Sequence, residues 1–311
     1  MDIRAASFSG HESFPFRHTW LTKGVSACAL DPSTFRSDEA MVSLGVGKNM
    51  VQAIRHWCLA TQMIEEDPQQ RNNRGRFLRP TAIGQRLFLT DGGWDPYLEN
   101  VATLWLIHWL LVTNSERATT WCFAFNYWHQ PDFTRRTLEH AITDWATKLR
   151  SVRFTTGTLR RDIDVFIRTY VGSQQLPNVA IEDTLECPLV ELGLIYEQEL
   201  HDTYSFLRGP KDTLPDAILL FALQDYARRH PSQQSFTFDE LAYGPFGPGR
   251  VFKLDEFSLA ERLDGLSELT NGAWRFTETA GYEQILMAHD MNAFQILDDY
   301  YHGRRNPVSG A

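Results

Sequence analysis

A chain of 311 residues, 43% hydrophobic, with nine tryptophans and twenty phenylalanines, has material for packed cores and length for two or three domains. Its 22% charged content excludes global disorder, and its formal net charge of -9 excludes a general coat for DNA while leaving space for one basic face. Its longest apolar run, 101–112, is too short to cross a bilayer, the first ten residues lack a signal-peptide core, and Cys28, Cys58, Cys122 and Cys187 lack metal or redox spacing, so the expectation is a reduced, soluble, cytoplasmic protein with no membrane contact.

Residues 1–36 read as an N-terminal cap with a short helix from His18 to Lys23. The cap holds Phe8-Ser-Gly-His-Glu-Ser-Phe14, and here His11, Glu12 and Arg17 form a weak candidate for catalysis. A histidine and a carboxylate suit acid–base work, and an arginine suits phosphate. The plainer account is a structural turn whose polar groups cap nearby helices.

Residues 37–90 read as a winged helix-turn-helix. A short helix, Asp38 to Leu44, meets the turn Gly45-Val-Gly47. A longer amphipathic helix, Lys48 to Ile64, follows, and then a polar, arginine-bearing loop as the wing. Two helices across a short glycine turn form the arrangement that places the second helix in a DNA major groove. Val51, Ile54, Trp57, Cys58 and Ala60 mark the inner side at helical spacing, and Lys48, Gln52, Arg55 and His56 the outer side. Gln52 and Arg55 offer two-point hydrogen-bonding forks to base edges. Lys48 and Asn49 stand at the helix start, where free N–H groups attract phosphate. Arg71, Arg74, Arg76 and Arg79 complete the DNA-binding set on the wing. From Gly45 to Arg86 there are seven Lys/Arg against three Asp/Glu, a local positive patch in an acidic chain. Gly45-Val-Gly-Lys48 resembles the end of a phosphate-binding P-loop, but Val42 and Asn49 replace the required glycine and Ser/Thr, so nucleotide binding is rejected.

Residues 91–210 read as a helical core and connector. Asp95 is placed to cap a helix running from Pro96 to Thr113, apolar on nearly every side and therefore buried, with His108 as a buried, hydrogen-bonded histidine. Further helices are expected over Ala118 to Trp128, Phe133 to Arg150 with Thr134 as cap, and Leu159 to Tyr170. Trp121, Phe125 and Trp128 lie at helical spacing, which favours core packing over base stacking. Arg160-Arg-Asp-Ile-Asp164 offers two carboxylates, which a strand would align for a hard cation. On a helix, a salt-bridge network is the better account. Arg150, Arg153, Arg160 and Arg161 make a secondary phosphate strip. A polar link is expected near Gln174 to Asn178, then short elements over Pro188 to Ile195 and Thr203 to Arg208.

Residues 211–290 read as a second winged-helix-like module: a helix from Pro215 to Arg229, a strand-and-helix piece over Phe236 to Ala242, a second helix from Phe257 to Leu269, a wing over Asn271 to Thr277 and a closing helix from Ala280 to Met287. Glu256, Glu261, Asp264 and Glu268 against Arg262 would repel phosphate, so this module reads as structural or protein-binding. Residues 291–311 hold a C-terminal helix end and a tail. The fold class expected is mainly α with small β wings, two winged-helix modules joined by a helical middle region.

Several strings together, Phe8 to Phe14, Leu44-Gly-Val-Gly-Lys-Asn-Met-Val51, Asp95-Pro-Tyr-Leu-Glu99 continuing to Thr103-Leu-Trp-Leu-Ile-His108, and Pro188-Leu-Val-Glu-Leu-Gly-Leu194, resemble the bacterial family called domain of unknown function 4007. The resemblance spans nearly the whole chain, and its strings are not catalytic signatures. It implies membership of a DNA phosphorothioation system used against phage, in which sulfur replaces a non-bridging phosphate oxygen. It further implies a DNA-nicking role beside a desulfurase and an ATPase. No strong nuclease signature, metal site or cofactor is evident in the residues; nicking would call for a divalent cation, Mg²⁺ or Mn²⁺. The expectation is a double-stranded DNA-binding component that introduces nicks. A non-catalytic winged-helix regulator and a protein-interaction adaptor stand as alternatives. Catalytic residues, target sequence and oligomeric state are left open.

Overall fold

The structure is a computed structural model and describes residues 6–70, 74–89, 93–148, 154–172, 187–200, 202–279, 282–288 and 291–303. It is mainly helical with small antiparallel sheets. The chain divides into two units, Met1–Ala124 with Trp128–Phe206, and Phe125–Tyr127 with Leu207–Ala311.

The first unit begins with α1 (His18–Leu30), longer than the short helix expected, and a 3-10 turn at Thr34–Arg36. Next come α2 (Ala40–Leu44) and α3 (Lys48–Ala60). Gly45 separates them at φ 65, a left-handed conformation in which its N–H closes onto the carbonyls of Met41 and Val42. α3 stops earlier than its apolar pattern suggested. Gln62 turns left-handed at φ 60, and Ile64 enters a strand. β1 (Ile64–Glu66) and β2 (Leu78–Pro80) pair antiparallel, with Glu65 opposite Arg79. α4 (Ala82–Phe88) follows, capped by Thr81, whose hydroxyl accepts the Gly84 N–H at 3.1 Å. Gly84 packs so closely on the Met63 carbonyl that a Cβ would lie 2.1 Å from its oxygen.

α5 (Val101–Val112) is buried from Ala102 onward, as an all-round apolar helix requires. Its start differs from expectation. Leu98 sits at φ 55, which interrupts any helix from Pro96, and Asn100 rather than Asp95 caps α5. The Asp95 carboxylate instead accepts the N–H groups of Glu99 and Asn100 at 2.8 and 3.0 Å and fixes the preceding turn. His108 is fully buried, 2.8 Å from the Tyr170 hydroxyl.

α6 (Thr119–Asn126) carries Trp121 and Phe125 into the interior, so that stripe is core. β3 (Asp132–Phe133) precedes α7 (Arg135–Thr147), which Thr134 and Thr137 open with a reciprocal cap. α8 (Thr156–Tyr170), a 3-10 turn at Pro188–Leu192, β4 (Ile195–Glu197) and β5 (Tyr204–Phe206) complete the unit, with strand order β3-β5-β4. The polar link near 174–178 lies outside the described residues.

In the second unit α9 (Asp216–Arg229), β6 (Ser235–Thr237), α10 (Phe238–Tyr243) and α11 (Pro248–Val251) lead to α12 (Glu256–Asp264) and α13 (Leu266–Leu269). A hairpin of β7 (Trp274–Thr279) and β8 (Tyr282–Met287) follows, then α14 (Ala293–Tyr301). The sheet order is β6-β8-β7, and Ile285 of β8 is fully buried between Phe236 and Phe276 in register. Two expectations are corrected here. The continuous helix to Leu269 is two helices meeting at Gly265. The closing helix ending at Met287 is a strand, β8, which pairs along one edge with β6 and along the other with β7.

Candidate nucleic-acid interface

α3 turns its apolar side inward, with Val51, Ile54, Trp57 and Cys58 all buried. Lys48, Asn49 and Gln52 remain exposed on the opposite side. Arg55 is half-buried, and its Nη2 donates to the Gly75 carbonyl at 3.1 Å, tying α3 to the loop between β1 and β2. Gly75 stands at φ 70, where a Cβ would lie 2.6 Å from that nitrogen. The loop is thereby held against α3, and Arg74 is presented on its outside.

Together these pieces enclose a groove of about 450 Å³. Lys48, Gln52, Arg55 and Arg74 line it, joined by Arg36 from the turn before α2, with Phe35 and Met41 as apolar walls and Asp38 at one side. The Arg55 guanidinium loses basicity through burial first, then through the neighbouring charge of Arg117; Glu66 opposes this and Arg36 adds to it. Arg36 and Arg117 therefore extend the positive field, and neither was singled out in the sequence. Arg117 also pairs with Glu66 at 2.9 Å, which links α3's surroundings to the segment before α6.

The other expected DNA contacts divide. Arg76 is exposed. Arg79 is exposed but pairs with Glu65 across the hairpin at 2.7 Å, sharing its charge. Arg71 lies outside the described residues, as do Arg150 and Arg153 of the secondary strip. Arg160 is bound by Glu139 at 3.0 Å, and Arg161 is exposed with its Nε on the Gly157 carbonyl at 3.3 Å. Nearby, Arg135 bridges Asp164 and Asp202, so Arg160 stands beside further ion pairs while Arg161 is exposed.

His56 is corrected. It is only 8% exposed and faces the interior, where the backbone of Gly10 lies against its ring. At helical spacing His56 lies one turn beyond Gln52 on the same side, but the Gly10–His11 segment packs over that turn and covers it, with the His11 ring 5.7 Å from that of His56. Burial pushes its imidazole down to about 3, helped by His11, Arg117 and Arg55, so it stays neutral.

Beneath that helix lies a second constellation. His11 Nδ1 accepts the Ser13 N–H at 3.0 Å, so Nε2 carries the hydrogen donated to Asp162 Oδ1 at 2.8 Å. Both residues are buried. His11 came from one sequence candidate and Asp162 from another, and the fold joins them across 151 positions. The remaining members stay apart: Glu12 is exposed at φ 49, and Arg17 lies over Trp20 at 5.5 Å. The His11 segment is also fastened by Trp57 Nε1 to the Phe14 carbonyl (2.9 Å) and by Arg168 Nη2 to the Ser13 carbonyl (2.6 Å). It braces α3 from within. Asp162 Oδ2, His56 Nε2 and Trp121 Nε1 are buried without hydrogen bonds among the described residues.

A divalent cation finds no ready cage. Among the described residues no group of three or more His, Cys, Asp or Glu side chains is placed to hold a metal, and the buried pair offers a single carboxylate whose other oxygen meets no second acid. Among the same residues no helix is long and apolar enough to cross a membrane.

No curated protein matches the chain. Two solved structures are similar to it. A magnesium ion-bound SspB crystal structure shares 30% identity at a TM-score of 0.85, covering 98% of this chain and 91% of that one. Another SspB crystal structure shares 31% identity at a TM-score of 0.85, covering 98% and 92%. Residues 8–301 match the family described as protein of unknown function DUF4007, and the chain belongs to that family.

Proposed function

We propose that this chain is the double-stranded DNA-binding component of an Ssp-type DNA phosphorothioation system, acting in the cytoplasm beside a desulfurase and an ATPase. The similarity to SspB structures over 98% of the chain supports the system. The groove lined by Arg36, Lys48, Gln52, Arg55 and Arg74 carries the DNA reading, because it concentrates cations and one amide at the exposed start of α3. In this reading α1–α4 with β1–β2 act as a winged helix: α3 enters the major groove, Gln52 and Arg55 face base edges, and Arg74 and Arg76 sit on phosphates. The unit from α9 to β8 is a second winged helix serving structure or protein contact.

A gel-shift titration with a duplex at two salt concentrations tests this. In K48A/R74A/R76A, three lost phosphate contacts lower the salt slope by about 3 and weaken binding about a hundredfold at moderate salt. Unchanged affinity and slope in a folded variant would refute docking through this groove.

Nicking of duplex DNA for sulfur modification extends the same reading, and the buried position of His11 and Asp162 favours a non-catalytic adaptor over it. Supercoiled plasmid with Mg²⁺ or Mn²⁺ separates them. Relaxed circles that persist through purification and vanish in a point variant establish nicking; their absence under either metal assigns the adaptor.

A further inference from the structure

The groove beside α3 is not polar throughout. Arg36, Lys48, Arg55 and Arg74 supply its charge, but Phe35, Met41 and Val51 supply part of its wall. Phe35 and Val51 are buried, whereas Met41, on the short helix α2, is 42% exposed. Arg55 is half-buried and tied to the Gly75 carbonyl at 3.1 Å. Arg36 and Arg74 are exposed, and their guanidinium groups carry no hydrogen bond or ion pair among the described residues. Among the same residues of the lining, one carboxylate, Asp38, stands against the four cations. Two open guanidinium groups thus share a cavity with a thioether and an aromatic ring.

An ordinary phosphate diester makes poor use of such a wall. Its two non-bridging oxygens are strongly hydrated, so apolar contact strips them of water and returns no hydrogen bond. Sulfur in place of one oxygen alters that balance and leaves the charge as it was. The sulfur is larger and more polarisable, is a weaker hydrogen-bond acceptor, and gains from contact with thioether and aromatic carbon. A guanidinium is itself weakly hydrated, so it gives up little to approach such an anion.

We propose that the α3 groove prefers a phosphorothioate diester to an ordinary one: Arg36 and Arg74 hold the anion, and Met41 with Phe35 receives its sulfur. This preference presupposes duplex docking through the same groove. It sets the chain after the sulfur-inserting reaction as well as before it, since the groove then holds the product of modification more firmly than the unmodified duplex.

Three duplexes of one sequence provide the test. One has an all-oxygen backbone, and in the others every linkage of one strand is a phosphorothioate of one configuration at phosphorus or the other. Each is titrated by fluorescence anisotropy at two salt concentrations with the full chain, Met41→Ser and K48A/R74A/R76A. One configuration is expected to bind about fivefold tighter than the other, because a fixed groove meets sulfur on one side of the phosphorus only. The ratio should be the same at both salt concentrations, since the three duplexes carry equal charge. Met41→Ser should bring the ratio to about one. The ratio is taken within each protein, so a general loss of affinity cancels. Equal affinity for the two configurations, or a ratio that Met41→Ser leaves intact, overturns the sulfur preference and leaves duplex docking standing. All-oxygen binding that K48A/R74A/R76A leaves unchanged removes docking through the groove, and the sulfur preference with it.

Discussion

In the α1–α4 region and again from α9 to β8, helices lead into an antiparallel hairpin, and the last long helix before that hairpin is α3 in the first and α12 in the second. α3 exposes Lys48, Asn49 and Gln52 without an acidic residue in its length. α12 exposes Glu256, Glu261 and Asp264. The half-buried arginine of each helix is used differently. Arg55 crosses to the Gly75 carbonyl and borders an open cationic groove. Arg262 is consumed by the Leu214 and Lys211 carbonyls at 2.9 Å and by Asp216 at 2.7 Å. Element order alone thus leaves the ligand undecided, and side-chain chemistry on the outer face decides it.

The largest expected effect concerns how the two helices are supported. α3 rests on a segment fastened through the His11–Asp162 bond, whereas α12 hangs on Arg262. His11→Ala leaves a buried carboxylate with no donor and should cost about 3–5 kcal/mol of stability. Urea denaturation checks this. Replacing both partners, His11→Phe with Asp162→Leu, should recover part of the loss, since an apolar pair leaves no orphaned charge. Equal losses in the single and double variants would mean that shape rather than the hydrogen bond fastens the segment.

Next in size is Arg262→Ala. It strands two carbonyls and one carboxylate, of which Asp216 is largely exposed, so about 1–3 kcal/mol is expected. The same variant should leave duplex affinity unchanged, while Arg55→Ala weakens it about tenfold by loosening the 74–76 loop and removing a base contact. If Arg262→Ala lowered duplex affinity as much as Arg55→Ala, the division of labour between the two helices would fail.

Local patterns were legible where one element decides its own geometry. Gly45-Val-Gly47 announced the α2–α3 turn, and Thr134 announced the start of α7. Lys48, Gln52 and Arg74 were readable as one surface because a short hairpin keeps them near in sequence as well as in space. Tertiary choices were not legible. The left-handed Leu98 that delays α5 carries no residue-type signal, and Tyr-Glu-Gln-Ile-Leu-Met over 282–287 does not alternate, so the strand there has no period-two signature. The His11–Asp162 bond needed the fold itself: each residue stood in a plain polar turn or an ordinary charged helix, and no spacing rule links positions so far apart. Arg36 escaped notice for the same reason, since it reaches the groove from a neighbouring element, and Arg117 acts on Arg55 from the segment before α6.

The inner faces of the two helices supply the finest comparison. α12 buries Leu259 and Leu263, whereas α3 buries His56, whose imidazole burial pushes down to about 3 from an ordinary 6.5. A depressed histidine is neutral in the native state and takes up a proton only on unfolding, so the unfolded chain binds more protons between those two values. Stability therefore rises with pH through that window and falls as acid is added. At about pH 5.5 the loss relative to pH 8 should be about 1.4 kcal/mol from this residue. His56→Leu should flatten the urea-midpoint profile over the same range. The groove should keep its duplex affinity per folded molecule over the same range. A profile equally steep in His56→Leu would place the acid sensitivity elsewhere and make the inner faces of α3 and α12 equivalent.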